Sequence, residues 1–354
     1  MNMPPRTIRG MLKNKLVLVG ILSLFLSFIF LFLFSNFFLF ALFLIIFIIL
    51  LVYNFIKVSR KLYDALGTRL MFFATVSVIF LFFLLLLILI NGSINILSDQ
   101  SLSELIFSST WKPFSGKFGL FAVIVDTLIV TAISMVIAVP ISLLSAIYIA
   151  EYAPKKFRNI VRPFIDVLAG VPSVVFGLCA LLVFVPLVRD DIAPFFGSNI
   201  SSGFSLFTAS LILSIMVFPI IISLCLESFN SVPIALKEAS LSLGATKWET
   251  VKKVIFRAAG PGVLAAIFLG FGRAFGETIA VSMVIGNQEL IPKSLFGPGQ
   301  TLASLIASNY TEVSSIPILA SALIFVALIL FVVVLIFNLL GYFVLQGASK
   351  RWKY

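Results

Sequence analysis

The chain has 354 residues, 61% of them hydrophobic and 11% charged, with a formal net charge of +11 and no histidine. That balance excludes an ordinary soluble domain and points to a multi-pass membrane protein. The missing histidine excludes His-based triads, His metal ligands and His proton switches. The two cysteines, Cys179 and Cys225, give neither a disulfide framework nor a metal spacing.

In chain order, eight apolar runs are long enough to cross a membrane as helices: about 15–34, 37–56, 70–91, 120–149, 164–188, 205–228, 259–286 and 316–342. The expected fold is therefore all-α and polytopic. The first two runs are separated only by Ser35-Asn36, a turn signal, and form a hairpin. The N-terminus is basic and then apolar, but the apolar part is too long for a signal peptide and no small-residue cleavage site follows. Residues 1–69 are read as an N-terminal transmembrane extension, 70–349 as a six-span core and 350–354 as a tail. The longest outer loop, 91–119, carries Trp111, Pro113 and Phe114, expected as interfacial anchors. No Gly-x-x-x-x-Gly-Lys-Ser/Thr run occurs, so the sequence offers no phosphate-binding loop for ATP.

Lys and Arg test the topology. Arg6, Arg9, Lys13 and Lys15 precede the first span, and Lys57, Arg60, Lys61 and Arg69 follow the second. Lys155, Lys156, Arg158 and Arg162 lie between spans four and five. Lys237, Lys247, Lys252, Lys253 and Arg257 lie between six and seven, and Lys350, Arg351 and Lys353 close the chain. With eight spans these 20 fall on one side, against Lys112, Lys117, Arg189 and Lys293 on the other. The basic side is expected to be cytoplasmic, with both termini inside an inner membrane. This distribution reads the positive charge as membrane orientation, not as nucleic-acid binding.

The basic loop between spans six and seven, about 229–258, holds a helix-favouring stretch from Ile234 to Leu243. Gly244 is suited to end it in the left-handed conformation, and Trp248 and Val251 begin a second helical stretch. The element is either an amphipathic helix shaped for a groove in a partner or an interfacial loop helix without one.

Within span seven, Arg273 and Glu277 are four residues apart and so expected on one helix face. A charge at mid-bilayer costs roughly 2.5–3.5 kcal/mol on insertion scales. Two readings stand: a polar pathway, or a buried ion pair that fixes helix register. Gly272 and Gly276 form a small-x-x-x-small pattern suited to close helix packing. Gly170-Val-Pro-Ser173 breaks span five early, as cavity-lining segments often do, and a plain kink is the alternative. Asp126 and Asp166 sit at span edges, where they cap, pair or gate; Glu227 reads as a solvated helix end.

Glu238-Ala239-Ser240, then Gly244, then the apolar pair Val254-Ile255, resembles the EAA loop of ABC importer permeases. The family's usual Leu-Pro is here Phe256-Arg257, with Pro261 placed to supply the kink slightly later. Trp111-Lys-Pro-Phe, Pro140–Pro154, Asp166–Gly177 and above all Gly272-Arg-Ala-Phe-Gly-Glu-Thr-Ile-Ala-Val-Ser-Met-Val-Ile-Gly-Asn287 resemble the phosphate-specific ABC permeases, C-type subunit. The resemblance covers about 70–349; the first hairpin lies outside it and is read as extra anchoring or a subunit contact. It implies a permease without enzymatic activity or cofactor, paired with an A-type permease, two ATP-binding cassette subunits and an extracytoplasmic phosphate-binding protein. It further implies that Glu238, Ala239 and Gly244 couple to the ATPase. Arg273, Glu277, Ser173 and Thr278 become candidates for the phosphate path, with Arg273 meeting a phosphate oxygen through its planar guanidinium. Rival expectations are another oxyanion (molybdate, sulfate or phosphonate), or an ATP-independent channel or transporter.

Overall fold

The computed structural model describes residues 60–351 apart from Asn199, Lys293 and residues 314–316. The expected hairpin over 15–56 lies outside the described residues. The chain divides into two compact units between Phe83 and Leu84.

The first helix, α1 (Arg60–Asp99), carries no charged residue between Leu70 and Ser98. A short α2 (Leu102–Phe107) follows, capped by the Ser101 side chain, which accepts from Glu104 N–H. A two-stranded antiparallel ribbon comes next, β1 (Trp111–Lys112) and β2 (Lys117–Phe118), with Trp111 opposite Phe118. Then come α3 (Phe121–Tyr152), α4 (Lys155–Ala169), α5 (Ser173–Phe195) and α6 (Leu206–Asn230). The basic loop folds as α7 (Ile234–Ser242) and α8 (Lys247–Ala258), and α9 (Gly260–Gly276) follows. Short α10 (Ile279–Ser282) and α11 (Leu302–Asn309) precede the last helix, α12 (Pro317–Arg351).

Five of these helices are long and apolar enough to cross a membrane, and the bent pair α8–α9 makes up to six. With the bent pair taken as one span, six is the number expected from residue 70 onward; the first two of the eight expected spans lie outside the described residues. Two expected boundaries are corrected. Span five does not start at 164: α4 is a separate helix, and the crossing helix runs from Ser173 to Phe195. In α4, Lys155, Lys156, Arg158 and Arg162 interleave with exposed Phe157, Ile160, Phe164 and Val167, so a hydropathy window merges its apolar half with α5. Ser173 therefore opens a span instead of interrupting one. Span seven does not run to 286: its helix ends at Gly276. A bend of 71° separates α8 from α9 at Ala259, with Pro261 in the first turn of α9, where a missing N–H costs nothing.

The larger core lies where α3, α6 and α9 meet, and it is built from small and branched side chains such as Ala138, Ala146, Ala209, Ile212, Val217, Ile221 and Ala266. Lipid tails are as apolar as these residues, so close van der Waals fit is what favours association. Gly270 is one close-approach position: a Cβ there would lie 3.0 Å from Ile221 Cδ1 and 3.1 Å from Val217 Cγ1. On the other side of α9, Phe275 packs on Phe337 of α12 with ring centroids 4.7 Å apart.

A second core joins the last turns of α1, α2, the ribbon, the start of α3, α11 and α12. Here another expectation is corrected. Trp111 is not an interfacial anchor; it is buried in this core and meets Phe118 edge-on at 5.3 Å. Phe114, at the ribbon's turn, is the exposed aromatic (83%). Ser321 ties α1 to α12 by accepting from Ile96 N–H at 3.0 Å and donating to Gly92 O at 2.7 Å. Asp126 and Thr127, near the start of α3, grip the neck of α11. Asp126 Oδ2 accepts from Gln300 N–H and Thr127 Oγ1 from Leu302 N–H, each at 2.9 Å. Asp126 is thus a fully buried clamp, neither snorkelling nor solvated. Asp166 of α4 pairs instead, accepting from Ser223 Oγ of α6 at 3.1 Å.

Candidate functional site: a basic helix–turn–helix and a broken helix

The α7–α8 element is shaped by its turn. At the end of α7, Leu243 N–H donates to Ala239 O, Gly244 N–H to Leu241 O and Ala245 N–H to Ser240 O, at 3.0–3.3 Å. Gly244 sits at φ +82°, a conformation that side chains oppose, and the space around it is open. Thr246 then starts α8 with a capping box. Its Oγ1 accepts from Glu249 N–H at 3.2 Å, while Glu249 Oε2 accepts from Thr246 N–H at 3.0 Å. The Thr246 backbone bond, with Lys253 3.1 Å away, holds the Glu249 carboxyl down to about 2. The hydroxyls of Ser240 and Thr250, 2.9 Å apart, fasten α7 to α8.

The outer surface of this element carries apolar side chains without cover in this chain. Ile234 is 70% and Leu243 90% exposed, and Leu236, Leu241 and Trp248 are exposed with them. Glu238 and Ala239 lie on the same exposed helix. The inner side is charged and engaged. Lys237 Nζ is 2.6 Å from Glu151 Oε1 at the end of α3, and Lys247 Nζ lies 4.6 Å from the centre of the adjacent Tyr152 ring.

The second feature is the end of α9. Arg273 stands in the last turn, where its positive charge complements the helix dipole. Its Nε is buried and has no hydrogen-bond partner among the described residues. Glu277 leaves the helix with extended backbone (φ −70°, ψ 120°), so the expected shared helix face with Arg273 does not exist. No ion pair joins the two among the described residues. Glu277 Oε1 instead faces Ala280 N–H at 3.4 Å, and Thr278 Oγ1 donates to Gly276 O at 3.1 Å. Non-helical backbone at membrane depth is tolerated where protein buries it or where it lines a water-filled cavity. Helix α5, which begins at Ser173, reaches this region through Gly177, whose Cβ would fall 2.6 Å from Met283 Sδ and 3.1 Å from Ala280 Cα. Arg273, Glu277 and Thr278 thus gather at one helix break, with Ser173 one turn from the α5–α10 contact. Gly272 and Gly276 meet nothing within 4 Å; among the described residues the packing glycines of α9 include Gly262, against Ser228, and Gly270.

The family model of binding-protein-dependent transport system inner membrane components matches residues 138–350, from the second half of α3 into α12. The chain belongs to this family. Among relatives, the phosphate transport system permease protein PstC of Pasteurella multocida is 38% identical over 265 residues, covering 70% of this chain and 83% of that one. The protein of the same name from Haemophilus influenzae is 36% identical over 275 residues (73% and 87%). A relative from Methanocaldococcus jannaschii, named as a probable phosphate transport system permease protein PstC, is 33% identical over 264 residues (71% and 82%). Among solved structures, a chain of the inward-facing MetNI methionine ABC transporter matches 68% of this chain and 99% of its own length, with a TM-score of 0.50 at 19% identity. A chain of a bacterial alginate ABC transporter gives 0.50 at 17% identity over 80% and 96%. At such identities these two establish the fold alone. In this inner-membrane component, the matched stretch includes both the α7–α8 turn and the α9 break.

Two features of the site are missing from the sequence reading. The capping box was legible as Thr246-x-x-Glu249 just before an apolar run. The Lys237–Glu151 contact had no local signal, because the residues are 86 apart.

Proposed function

We propose that this inner-membrane component is the C-type permease subunit of an ATP-driven phosphate importer. It forms half of the anion path beside an A-type permease. Two ATP-binding cassette subunits drive it from the cytoplasm, and an extracytoplasmic phosphate-binding protein delivers the anion. Both termini are cytoplasmic, on the side of the basic loops. Support for phosphate comes from the relatives named as phosphate permeases, each 33–38% identical over at least 70% of the chain.

The observation that carries the coupling role is the uncovered apolar surface of α7–α8 around Gly244. Apolar side chains grouped on an otherwise basic loop mark a protein-contact surface. Glu238, Ala239 and Gly244 are assigned to docking on the ATPase. Arg273, with its unpartnered Nε, is assigned to the passing phosphate. Glu277 and Thr278 shape the break beside it, and Ser173 offers a hydroxyl from α5. Gly272 and Gly276 are assigned to close approach by the second permease.

The test is uptake in a strain lacking the native permease and complemented with this chain and its partner subunits. Labelled phosphate should be taken up in an ATP-dependent manner, with molybdate, sulfate and phosphonates failing to compete. Competition by one of those anions at equal concentration would transfer the substrate assignment to it.

A further inference from the structure

We infer that the Glu151–Lys237 ion pair is the lateral strut that carries motion of the α7–α8 element into α3. The inference rests on the coupling role proposed for α7–α8. That element is joined covalently to α6 through Ser231–Pro233 and to α9 through the bend at Ala259. It has no direct covalent link to α3, which lies at the centre of the larger core. The ion pair between Lys237 Nζ and Glu151 Oε1, at 2.6 Å, joins α7 to the end of α3 by a noncovalent contact. Both side chains are largely shielded, at 21% and 13% exposure, so the pair keeps more of its strength than a surface bridge does.

The receiving end is built to be stiff. Glu151 belongs to a turn of π-helix, Tyr148–Tyr152, that closes α3. Arg158, reaching back from α4, donates from Nε to Ile149 O at 2.9 Å and from Nη2 to Ala150 O. The carbonyls that a helix end leaves free are thus tied on one side, while Lys237 holds the side chain on the other. Lys247, from the second arm of the element, lies over the Tyr152 ring, and the Ser240–Thr250 hydroxyl bond keeps the two arms together. Both arms therefore bear on adjacent residues of one turn.

At the opposite end of α3, Asp126 and Thr127 hold the backbone of Gln300 and Leu302 at the neck of α11. A displacement of α7 is delivered to α3 at Glu151, and α3 hands it to the far side of the protein at Asp126 and Thr127. Pro140, inside α3, removes one backbone N–H from the rod's hydrogen-bond ladder.

The experiment uses the whole transporter complex in lipid nanodiscs. Glu151→Gln, Lys237→Met and the exchanged pair Glu151→Lys/Lys237→Glu are compared with Gly244→Val. Assembly is read by co-purification, and coupling by the ratio of ATP hydrolysis with and without the phosphate-loaded binding protein. Each single variant should assemble and lose about tenfold of that ratio, the scale of one charge-assisted hydrogen bond, and the exchanged pair should restore most of it. A purely structural contact would not give recovery of the stimulated ratio by reversed charges. Single variants that couple normally overturn the strut, as do single variants that fail to assemble, which would make the pair a folding contact, and an exchanged pair that assembles uncoupled. If Gly244→Val also couples normally, the coupling role of α7–α8 itself falls. If Gly244→Val uncouples while Glu151→Gln does not, only the strut falls.

Discussion

Replacing Gly244 isolates the backbone from everything else in the proposed coupling element. The residue holds φ +82°, and no atom lies within 4 Å of where a Cβ would be. A substitution there meets no steric neighbour, so its cost is the conformation alone. An L-residue in the left-handed region costs roughly 1–2 kcal/mol. That is a factor of about 5–30 in the ratio of the built turn to its alternatives. Asparagine tolerates this region and valine, being β-branched, does so least. Stimulated ATP hydrolysis of the purified complex should therefore fall in the order Gly, Asn, Ala, Val, while co-purification with the A-type permease stays constant. The three hydrogen bonds that close α7 would be lost in the same order, tilting Leu243 and Ile234 from their docking positions. A valine variant that couples as well as glycine would refute the reasoning.

Arg273→Ala should abolish phosphate uptake in an assembled complex, and Arg273→Lys should recover only part of it, because an ammonium lacks the bidentate fork; normal uptake by the alanine variant removes Arg273 from the path. Gly270→Leu should lower the thermal midpoint of the detergent-solubilised complex, since overpacking against Ile221 and Val217 costs about 1–3 kcal/mol. Asp126→Ala strands the buried Gln300 N–H at about 1–3 kcal/mol, and Asp126→Asn, which keeps an acceptor, should be milder in the same melting assay. Glu249 has a depressed carboxyl, so its support for the start of α8 is complete above its unfolded value and is lost only as pH falls through about 2. Coupling between pH 6 and 8 should accordingly be the same in the parent and in Glu249→Gln once each is normalised to its own pH 7 value; a divergence within that window would contradict the assignment.

The spans were readable where hydrophobicity alone decides them. Leu70–Ser98 has no charge to interrupt it, and α6 is bounded by Ser205 and Asn230. The turn at Gly244 was readable because glycine is the residue that takes positive φ at no cost. Boundaries failed where two elements share one apolar run. The lipophilic face of α4 flows into α5 across only Gly170–Pro172, and α9 ends at Gly276 with no proline to announce it. Trp111 was misplaced because a tryptophan in a loop between spans looks the same whether it faces lipid or closes a small core. The engagement of Glu151 with Lys237, and of Asp126 with Gln300, follows from tertiary packing of helices far apart in sequence, and no periodicity encodes it.

The most direct test reconstitutes the chain in vesicles, once with its full set of partner subunits and binding protein and once alone, and measures labelled phosphate accumulated against a gradient. Accumulation that needs ATP and the complete complex is the predicted result. Accumulation by this subunit unaided would contradict the account.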